Sequence, residues 1–302
     1  MDAFSARLNG RLLRDEPLAR FTAARLGGAA DWVYIAKDSI EELVEVVTAA
    51  WAQGLPVRVL GSGANVLVSD QGVRGLVVIN DISRIETGDW HDGRNLSATA
   101  GVNLTSLARK CGALGFAGME WAVSVPGTVG GAIVNNAGAH GTATGDTVAD
   151  VVVYDADRGV QFYHASELAF GYRTSSLKAR PDRRFVVLLA TFCLTPDDPD
   201  AIQARMTEFN AYRKRTQPPG ASLGSVFKNP AGDAAGRLIE SAGLKGWRIG
   251  AAQVSPIHAN FFINEGAGSA SDYRALVLHV RDVVYARCHV LLEPEIEFIG
   301  EW

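Results

Sequence analysis

Two stretches of this 302-residue chain place their chemistry in the backbone rather than in side chains. The first is Gly61-Ser62-Gly63-Ala64-Asn65, and the second is V-P-G-T-V-G-G-A-I-V-N-N-A-G-A-H-G from Val125 to Gly141. Of the 32 glycines, 17 fall between Gly54 and Gly145, so the glycine excess belongs to one region of tight turns and close backbone approaches. Successive N–H groups in such turns form a concave nest that binds phosphate oxygens without a lysine. In the second loop Gly127, Gly130 and Gly131 leave N–H groups able to approach a ligand, whereas the alternative is a plain glycine-rich turn. The first loop fails the dinucleotide fingerprint G-x-G-x-x-G. Val66 stands where the third glycine belongs, and Val66-Leu67-Val68-Ser69-Asp70 reads as a strand where the fingerprint requires a helix. Two loops of this kind, each preceded by a β run, predict a pyrophosphate-bearing cofactor held outside a Rossmann site.

Other reactive residue types are weaker signals taken one at a time. Arg173 in Y-R-T-S reads as a surface ion-pair partner, and Ser225 beside Gly224 as a turn or cap residue. Glu293, Glu295 and Glu297 alternate, which on one strand would put three carboxylates on one face. No G-x-S-x-G elbow supports a nucleophilic serine. His258 in S-P-I-H-A-N reads as a structural hydrogen-bonding histidine. Arg213-Lys214-Arg215 at a helix end suits either a small anion or the helix dipole alone. Cys111, Cys193 and Cys288 have no metal-ligand spacing, so no metal site is expected and the cysteines read as buried reduced thiols.

The elements that must position these residues follow from periodicity. Ser39 with Glu42 matches a capping box ahead of Ile40, Leu43, Val47 and Trp51 at helical spacing. Strands are predicted at 32–35, 57–60, 66–68, 76–79, 151–154, 160–163 and 185–193, and a helix runs through Leu104, Leu107 and Cys111. After a linker at 194–199, a helix carrying Ile202, Met206, Phe209 and Tyr212 stops before Pro218-Pro219. A helix ended by Gly243, a strand at 260–263, a helix over 271–287 and a last strand through Glu295 complete the chain.

Composition sets the class. With 47% hydrophobic and 21% charged residues the chain is an ordinary globular protein, long enough for two or three domains. A net charge of −4 argues against nucleic-acid binding. The absence of an apolar run of about 18 residues, and of an uninterrupted apolar segment near the N-terminus, predicts neither membrane insertion nor a signal peptide, hence a cytoplasmic protein.

Taken together, GSGANVLVSD and SVPGTVGGAIVNNAGAHG resemble the two flavin loops of the vanillyl-alcohol-oxidase type FAD domain. Their wording is most similar to the UDP-N-acetylenolpyruvoylglucosamine reductase family. Further motifs of that family follow in order: FGYRTSSLK (170–178), GSVFKNP (224–230), AGRLIESAGLKG (235–246), VSPIHANFFIN (254–264) and LEPEIEFIG (292–300). The resemblance implies an α+β fold, with a two-part FAD-binding domain and a C-terminal α/β substrate-binding domain. The expected parts are 1–80 and 81–194 for the two FAD-binding subdomains and 195–302 for the substrate-binding domain. Implied cofactor ligands are Gly61, Ser62, Gly63, Ala64, Asn65, Pro126, Gly127, Thr128, Gly130, Gly131, Ala137 and Gly138. FAD is expected to be non-covalent, because Ala64 and Asn65 offer no tether.

The implied reaction is reduction of UDP-N-acetylglucosamine enolpyruvate to UDP-N-acetylmuramate in peptidoglycan precursor synthesis, with NADPH as hydride donor. Hydride goes to the vinyl methylene carbon and a proton to the carbon bearing the carboxylate. Arg173 is implied as the bidentate anchor of that carboxylate. Ser225 is implied as proton donor, a role a positioned hydroxyl can fill because the intermediate is a strong base. Glu295 is implied as the third catalytic residue, polarising the intermediate. Tyr172, Lys228 and Asn229 are implied substrate contacts. Glu297 stands where the family usually has arginine. The short spacer between Arg173 and Ser225 is similar to the family's second class, which lacks an inserted tyrosine loop. Two other readings are an FAD-dependent oxidase of sugars or alcohols, and a flavin-binding module without catalysis.

Overall fold

The computed structural model describes residues 11–88 and 95–302, which fall into two compact units. Among the described residues, unit 1 comprises Arg11–Leu13, Val33–Ser62 and Gly75–Arg213, and unit 2 comprises Arg14–Trp32, Gly63–Arg74 and Lys214–Trp302. This division is not collinear with the expected parts 1–80, 81–194 and 195–302. Segments near the start of the chain belong to unit 2 because Ala24, Leu26 and Leu67 share its apolar core with residues as distant as Ile296. The first ten residues, part of the stretch read for a leader, lie outside the described residues.

Unit 1 is built on a five-stranded antiparallel sheet ordered Gly159–His164, Val148–Asp155, Phe185–Cys193, Asn95–Thr99, Ile85–Gly88. Strand Val148–Asp155 buries Val151, Val153 and Asp155, the alternation a sheet covered on one face requires, and a register shift near its start brings Val148 into the core as well. Helix Leu104–Ala113 turns Leu104, Leu107, Ala108 and Cys111 into the core. Asn103 starts that helix by accepting the N–H groups of Thr105 and Ser106 at 2.9 and 3.3 Å. Glu120 is buried and accepts two hydrogen bonds from the Arg205 guanidinium, at 3.0 and 2.7 Å, which fastens helix Pro199–Thr216 to the segment leading into the second glycine loop.

The expected helix after Ser39 spans Ile40–Ala52, and the Ser39 hydroxyl accepts the Glu42 N–H at 3.1 Å. The Glu42 carboxylate binds the Arg11 guanidinium at 2.6 Å and the buried Tyr34 hydroxyl at 2.5 Å. Beyond this helix, Val57–Leu60 pairs in parallel with Val73–Asn80, and the first glycine loop leaves the end of Val57–Leu60.

Unit 2 holds a four-stranded sheet ordered Ala221–Ser225, Phe261–Asn264, Ala252–Val254, Arg248–Ile249, with helices Ala235–Ser241 and Ala270–Cys288. Gly243, at φ 71°, follows the first helix in the left-handed conformation that ends helices. The Asp70 carboxylate caps the second, accepting the Ala270 and Ser271 N–H groups at 2.8 Å each. A parallel pair, Val66–Val68 with Glu297–Ile299, joins the end of the chain to the segment after the first glycine loop. The last strand is therefore Glu297–Ile299, beyond the expected position. Pro294 interrupts the alternation, so Glu293 and Glu295 precede the strand, and the three acids do not share one strand face. Among the described residues no helix is long and apolar enough to cross a membrane.

Candidate active site

Gly61, at the start of the first glycine loop, meets Thr128 of the second within unit 1. A Cβ on Gly61 would lie 2.1 Å from Thr128 Oγ1 and 2.9 Å from its Cγ2, so only glycine lets the first loop sit on the second. Gly63, at φ 60°, is fixed independently, since a Cβ there would lie 2.1 Å from the Phe21 carbonyl oxygen. Gly131 faces open space, with no heavy atom nearer to an added Cβ than Thr128 Oγ1 at 3.9 Å. Pro126 and Gly131 are exposed. The indole N–H of Trp121, just before the second loop, is buried with no partner among the described residues. An open glycine beside the interlocked Gly61 and Thr128 fits a backbone cradle for the phosphate-bearing part of FAD.

Gly130, Ala137 and Gly138 are among the expected cofactor ligands that spend backbone groups inside the protein. The Gly130 N–H is not free, as the loop reading required: it donates to the Ala100 carbonyl at 2.9 Å, and a Cβ there would lie 3.0 Å from Ala100 Cβ. Gly130 is thus needed for close packing of helix Val129–Asn135 on the sheet. Ala137 donates to the Ala132 carbonyl, and its own carbonyl accepts both the N–H and the hydroxyl of Thr144. Gly138 pairs with Ala143, and its carbonyl accepts Arg173 Nη2 at 2.8 Å.

That last bond brings Arg173 against the second loop. Arg173 lies in a tight turn in which Gly171 and Thr174 exchange backbone hydrogen bonds of 3.1 and 3.2 Å. Its φ of 55° is left-handed, a strained conformation for a long side chain that persists only where surroundings enforce it. The Tyr172 ring is 56% exposed and lies 5.3 Å from the Arg173 guanidinium carbon.

Ser225 and Glu295 come together in unit 2. Ser225 ends strand Ala221–Ser225, opposite Phe261, after a register shift that includes Gly224 at φ 72°. This bulge, rather than a simple turn, re-aims the serine. The Glu295 N–H donates to the Val226 carbonyl at 2.8 Å, so the two candidate residues stand on hydrogen-bonded neighbouring segments. Asn260 clamps the same place: it is buried, accepts the Phe227 N–H at 2.9 Å and donates to the Phe227 carbonyl at 2.8 Å. Asn65 of the first loop donates to the Glu295 carbonyl at 3.1 Å and accepts the Glu297 N–H at 2.9 Å. Asn65 therefore holds the glutamate segment in place.

The substrate contacts expected from the motif also have internal partners. Lys228 Nζ pairs with the Glu293 carboxylate at 2.5 Å. Asn229 Oδ1 accepts the Ala235 N–H at 3.0 Å, at the start of helix Ala235–Ser241. His258 Nδ1 accepts the Asn260 N–H at 3.2 Å, the structural role expected for it, and burial lowers its pKa. Among the cysteines only Cys111 is buried, where desolvation pushes its pKa up to about 12, whereas Cys193 is exposed and Cys288 half-buried. The buried-thiol reading is thus corrected for Cys193, on the outer end of strand Phe185–Cys193. No cluster of metal-ligating side chains occurs among the described residues.

Asn136 carries a structural role that the sequence reading passed over. Its side chain reaches the Gly171 carbonyl and the Gly145 N–H. The signal was present: asparagine after a helical run and just before Ala-Gly is a residue type that tolerates the left-handed cap.

Similarity to known proteins follows the same division of labour. Residues 33–160 match the family model of an FAD binding domain, which defines the class as FAD-binding proteins. Residues 216–299 match the model described as UDP-N-acetylenolpyruvoylglucosamine reductase, C-terminal domain. The chain is 44% identical to the reductase of that name from Rubrobacter xylanophilus over 289 residues, covering 95% of each protein. It is 42% identical to the one from a Synechococcus over 299 residues, covering 98% of this chain and 94% of the relative. The crystal structure of the Thermus caldophilus reductase superposes with a TM-score of 0.81 at 33% identity, covering 96% of this chain and 98% of that one. The chain belongs to the UDP-N-acetylenolpyruvoylglucosamine reductase family, and its α+β architecture is the one expected, an FAD-binding region followed by the family's C-terminal domain.

Proposed function

We propose that this protein reduces the enolpyruvyl ether of UDP-N-acetylglucosamine to UDP-N-acetylmuramate in the cytoplasm, as a step of peptidoglycan precursor synthesis, using NADPH and non-covalent FAD. The observation that carries the reading is the interlocking of Gly61 with Thr128 beside the open Gly131, inside the stretch matched to an FAD binding domain. FAD, when bound, would supply the relay of one hydride, which carries both electrons of the reduction, from the nicotinamide to the substrate carbon. Ser62, Gly63, Ala64, Pro126, Gly127, Thr128 and Gly131 are the residues proposed to hold it, and none of them can form a covalent tether through histidine or cysteine. The two FAD-binding subdomains correspond in this reading to 1–80 and 81–194, and the substrate domain to 195–302.

The protein's own residues handle the charges and the proton. Arg173 binds the enolpyruvyl carboxylate through its planar fork and stabilises the negative charge that builds next to it as the double bond is reduced. Ser225 donates its hydroxyl proton to the carbon bearing that carboxylate, completing net addition of hydride and proton across the double bond. Glu295, on the segment hydrogen-bonded beside Ser225, polarises the same intermediate. Tyr172, Lys228 and Asn229 contact the nucleotide sugar.

The test is anaerobic absorbance spectroscopy. NADPH should bleach the flavin band, and the enolpyruvyl nucleotide should restore it with formation of UDP-N-acetylmuramate. Bleaching by a sugar or alcohol in place of NADPH would assign a different oxidoreductase activity, and a flavin that neither donor can bleach would mean a binding module without catalysis.

A further inference from the structure

The strain at Arg173 must be sustained by its neighbours, and two side chains reach carbonyls of its turn. Asn136 is 8% exposed and itself left-handed, at φ 45°. Its Nδ2 donates to the Gly171 carbonyl at 2.8 Å while its Oδ1 accepts the Gly145 N–H at 2.9 Å. Lys178 Nζ donates to the carbonyl of Arg173 itself at 3.1 Å. Below the turn, the Ser175 hydroxyl donates to the Val134 carbonyl at 2.6 Å. The turn is thus hung from helix Val129–Asn135 and the residue that ends it, the same segment that carries Gly130 and Gly131.

We infer that Asn136, assisted by Lys178, is a positioning residue that sets the direction of the Arg173 fork; the inference rests on the reading of Arg173 as the carboxylate anchor. At neutral pH the amide side chain meets all three demands at this place. It donates to one backbone group, accepts from another, and belongs to a residue that enters the left-handed region at low cost. A bidentate fork tolerates little misdirection, so loosening the turn weakens carboxylate binding while flavin reduction proceeds as before.

Asn136→Asp in the holoenzyme tests this. The ionised carboxylate still accepts from Gly145 but cannot donate to the Gly171 carbonyl. Efficiency with the enolpyruvyl nucleotide should fall between about tenfold and a hundredfold, the scale of loss from a misplaced contact. FAD content and the rate of bleaching by NADPH should stay at parent values. As pH is lowered the deficit should shrink, because a protonated carboxyl can again donate to Gly171. Lys178→Met should lower efficiency in the same half-reaction without that pH recovery. In an Arg173→Lys background Asn136→Asp should add little, since it acts through the guanidinium.

If Arg173→Lys impairs the enzyme and Asn136→Asp does not, the positioning role is overturned and the anchor reading stands. If Arg173→Lys has no effect, the anchor reading fails and this inference with it. A pH-independent loss of equal size in both half-reactions marks Asn136 as a fold residue only and refutes the inference. Should Asn136→Asp fail to retain FAD, an unaltered Lys178→Met refutes it instead.

Discussion

Replacing Gly61 by alanine probes the junction on which the cofactor reading rests. The added Cβ would meet three atoms of one buried side chain: Thr128 Oγ1 at 2.1 Å, Cγ2 at 2.9 Å and Cβ at 3.0 Å. Ordinary contact between such atoms lies near ~3.5–4.0 Å, so a shift of about 1.5 Å is needed. Rotating Thr128 gives no escape, because two of its branches already crowd the space. Retreat of its backbone is resisted by the following N–H groups, Val129 to the Val102 carbonyl at 2.9 Å and Gly130 to the Ala100 carbonyl at 2.9 Å. Overpacking of this kind costs about 1–3 kcal/mol. At about 2–4 °C per kcal/mol for a domain of roughly 150–250 residues, the melting temperature should fall by several degrees. The fraction of protein purified with FAD, read from the ratio of flavin to protein absorbance, should fall with it. Thr128→Ala in the same chain removes Oγ1 and Cγ2 and should recover about 0.5–3 kcal/mol by coupling, whereas Thr128→Val, which keeps the shape, should recover nothing. A Gly61→Ala variant with unchanged melting and full flavin would show that the loops do not interlock, and the cradle would lose its basis.

In stopped-flow measurements Ser225→Ala should leave bleaching by NADPH near the parent rate and slow reoxidation by the enolpyruvyl nucleotide by about 10² to 10⁴; equal slowing of both halves would assign the serine to the fold. Asp155 is buried and accepts Arg180 at 2.5 Å and Arg158 at 3.1 Å; burial alone would raise its pKa, but these bonds and the N–H groups of Asp157 and Arg158 outweigh it and hold the carboxyl well below the usual range. A depressed folded pKa stabilises above the unfolded value of about 3.9 and is lost as pH falls through the folded one, so Asp155→Asn should cost about 3 kcal/mol in urea unfolding at pH 7, with the gap from the parent narrowing below about pH 4; a gap constant from pH 7 to pH 2 would mean that charge is not what Asp155 contributes.

Much of the fold was legible because local chemistry and tertiary demand agree. Ser39 caps the helix that its spacing to Glu42 announced, and Pro218 lies just past the end of helix Pro199–Thr216. Strand 185–193 appears with the bounds its β-branched and aromatic run suggested. The glycine loops were legible as backbone chemistry, but which N–H groups are spoken for was not. Gly130 looks like Gly131 in sequence, yet Gly130, in the first turn of helix Val129–Asn135, packs against Ala100, some 30 residues earlier, and that distant contact takes its donor. The acids at 293–297 misled for a related reason. Alternation fixes a shared face only if all three residues lie on one strand, and the observed pairing partner, Val66–Val68, reaches only as far as Glu297.

Arg173 and Ser225, the proposed carboxylate anchor and proton donor, share a feature that explains why residue-by-residue periodicity does not single them out. Each depends on a left-handed residue in a kinked segment: Arg173 on its own φ of 55°, Ser225 on Gly224 at φ 72° beside a register shift. Periodicity describes regular elements, whereas both of these side chains are aimed by departures from regularity, and such departures must be stabilised by long-range bonds. For Arg173 those bonds come from Asn136 and Lys178, and for the Ser225 segment from Asn260 and the Glu295 N–H. The amide side chains recur because asparagine can satisfy a backbone donor and a backbone acceptor at once, which an irregular segment needs where neither helix nor sheet completes its bonding. Conversely, the asparagines nearest an irregular turn are where a change two residues from any reacting atom should still reach the chemistry.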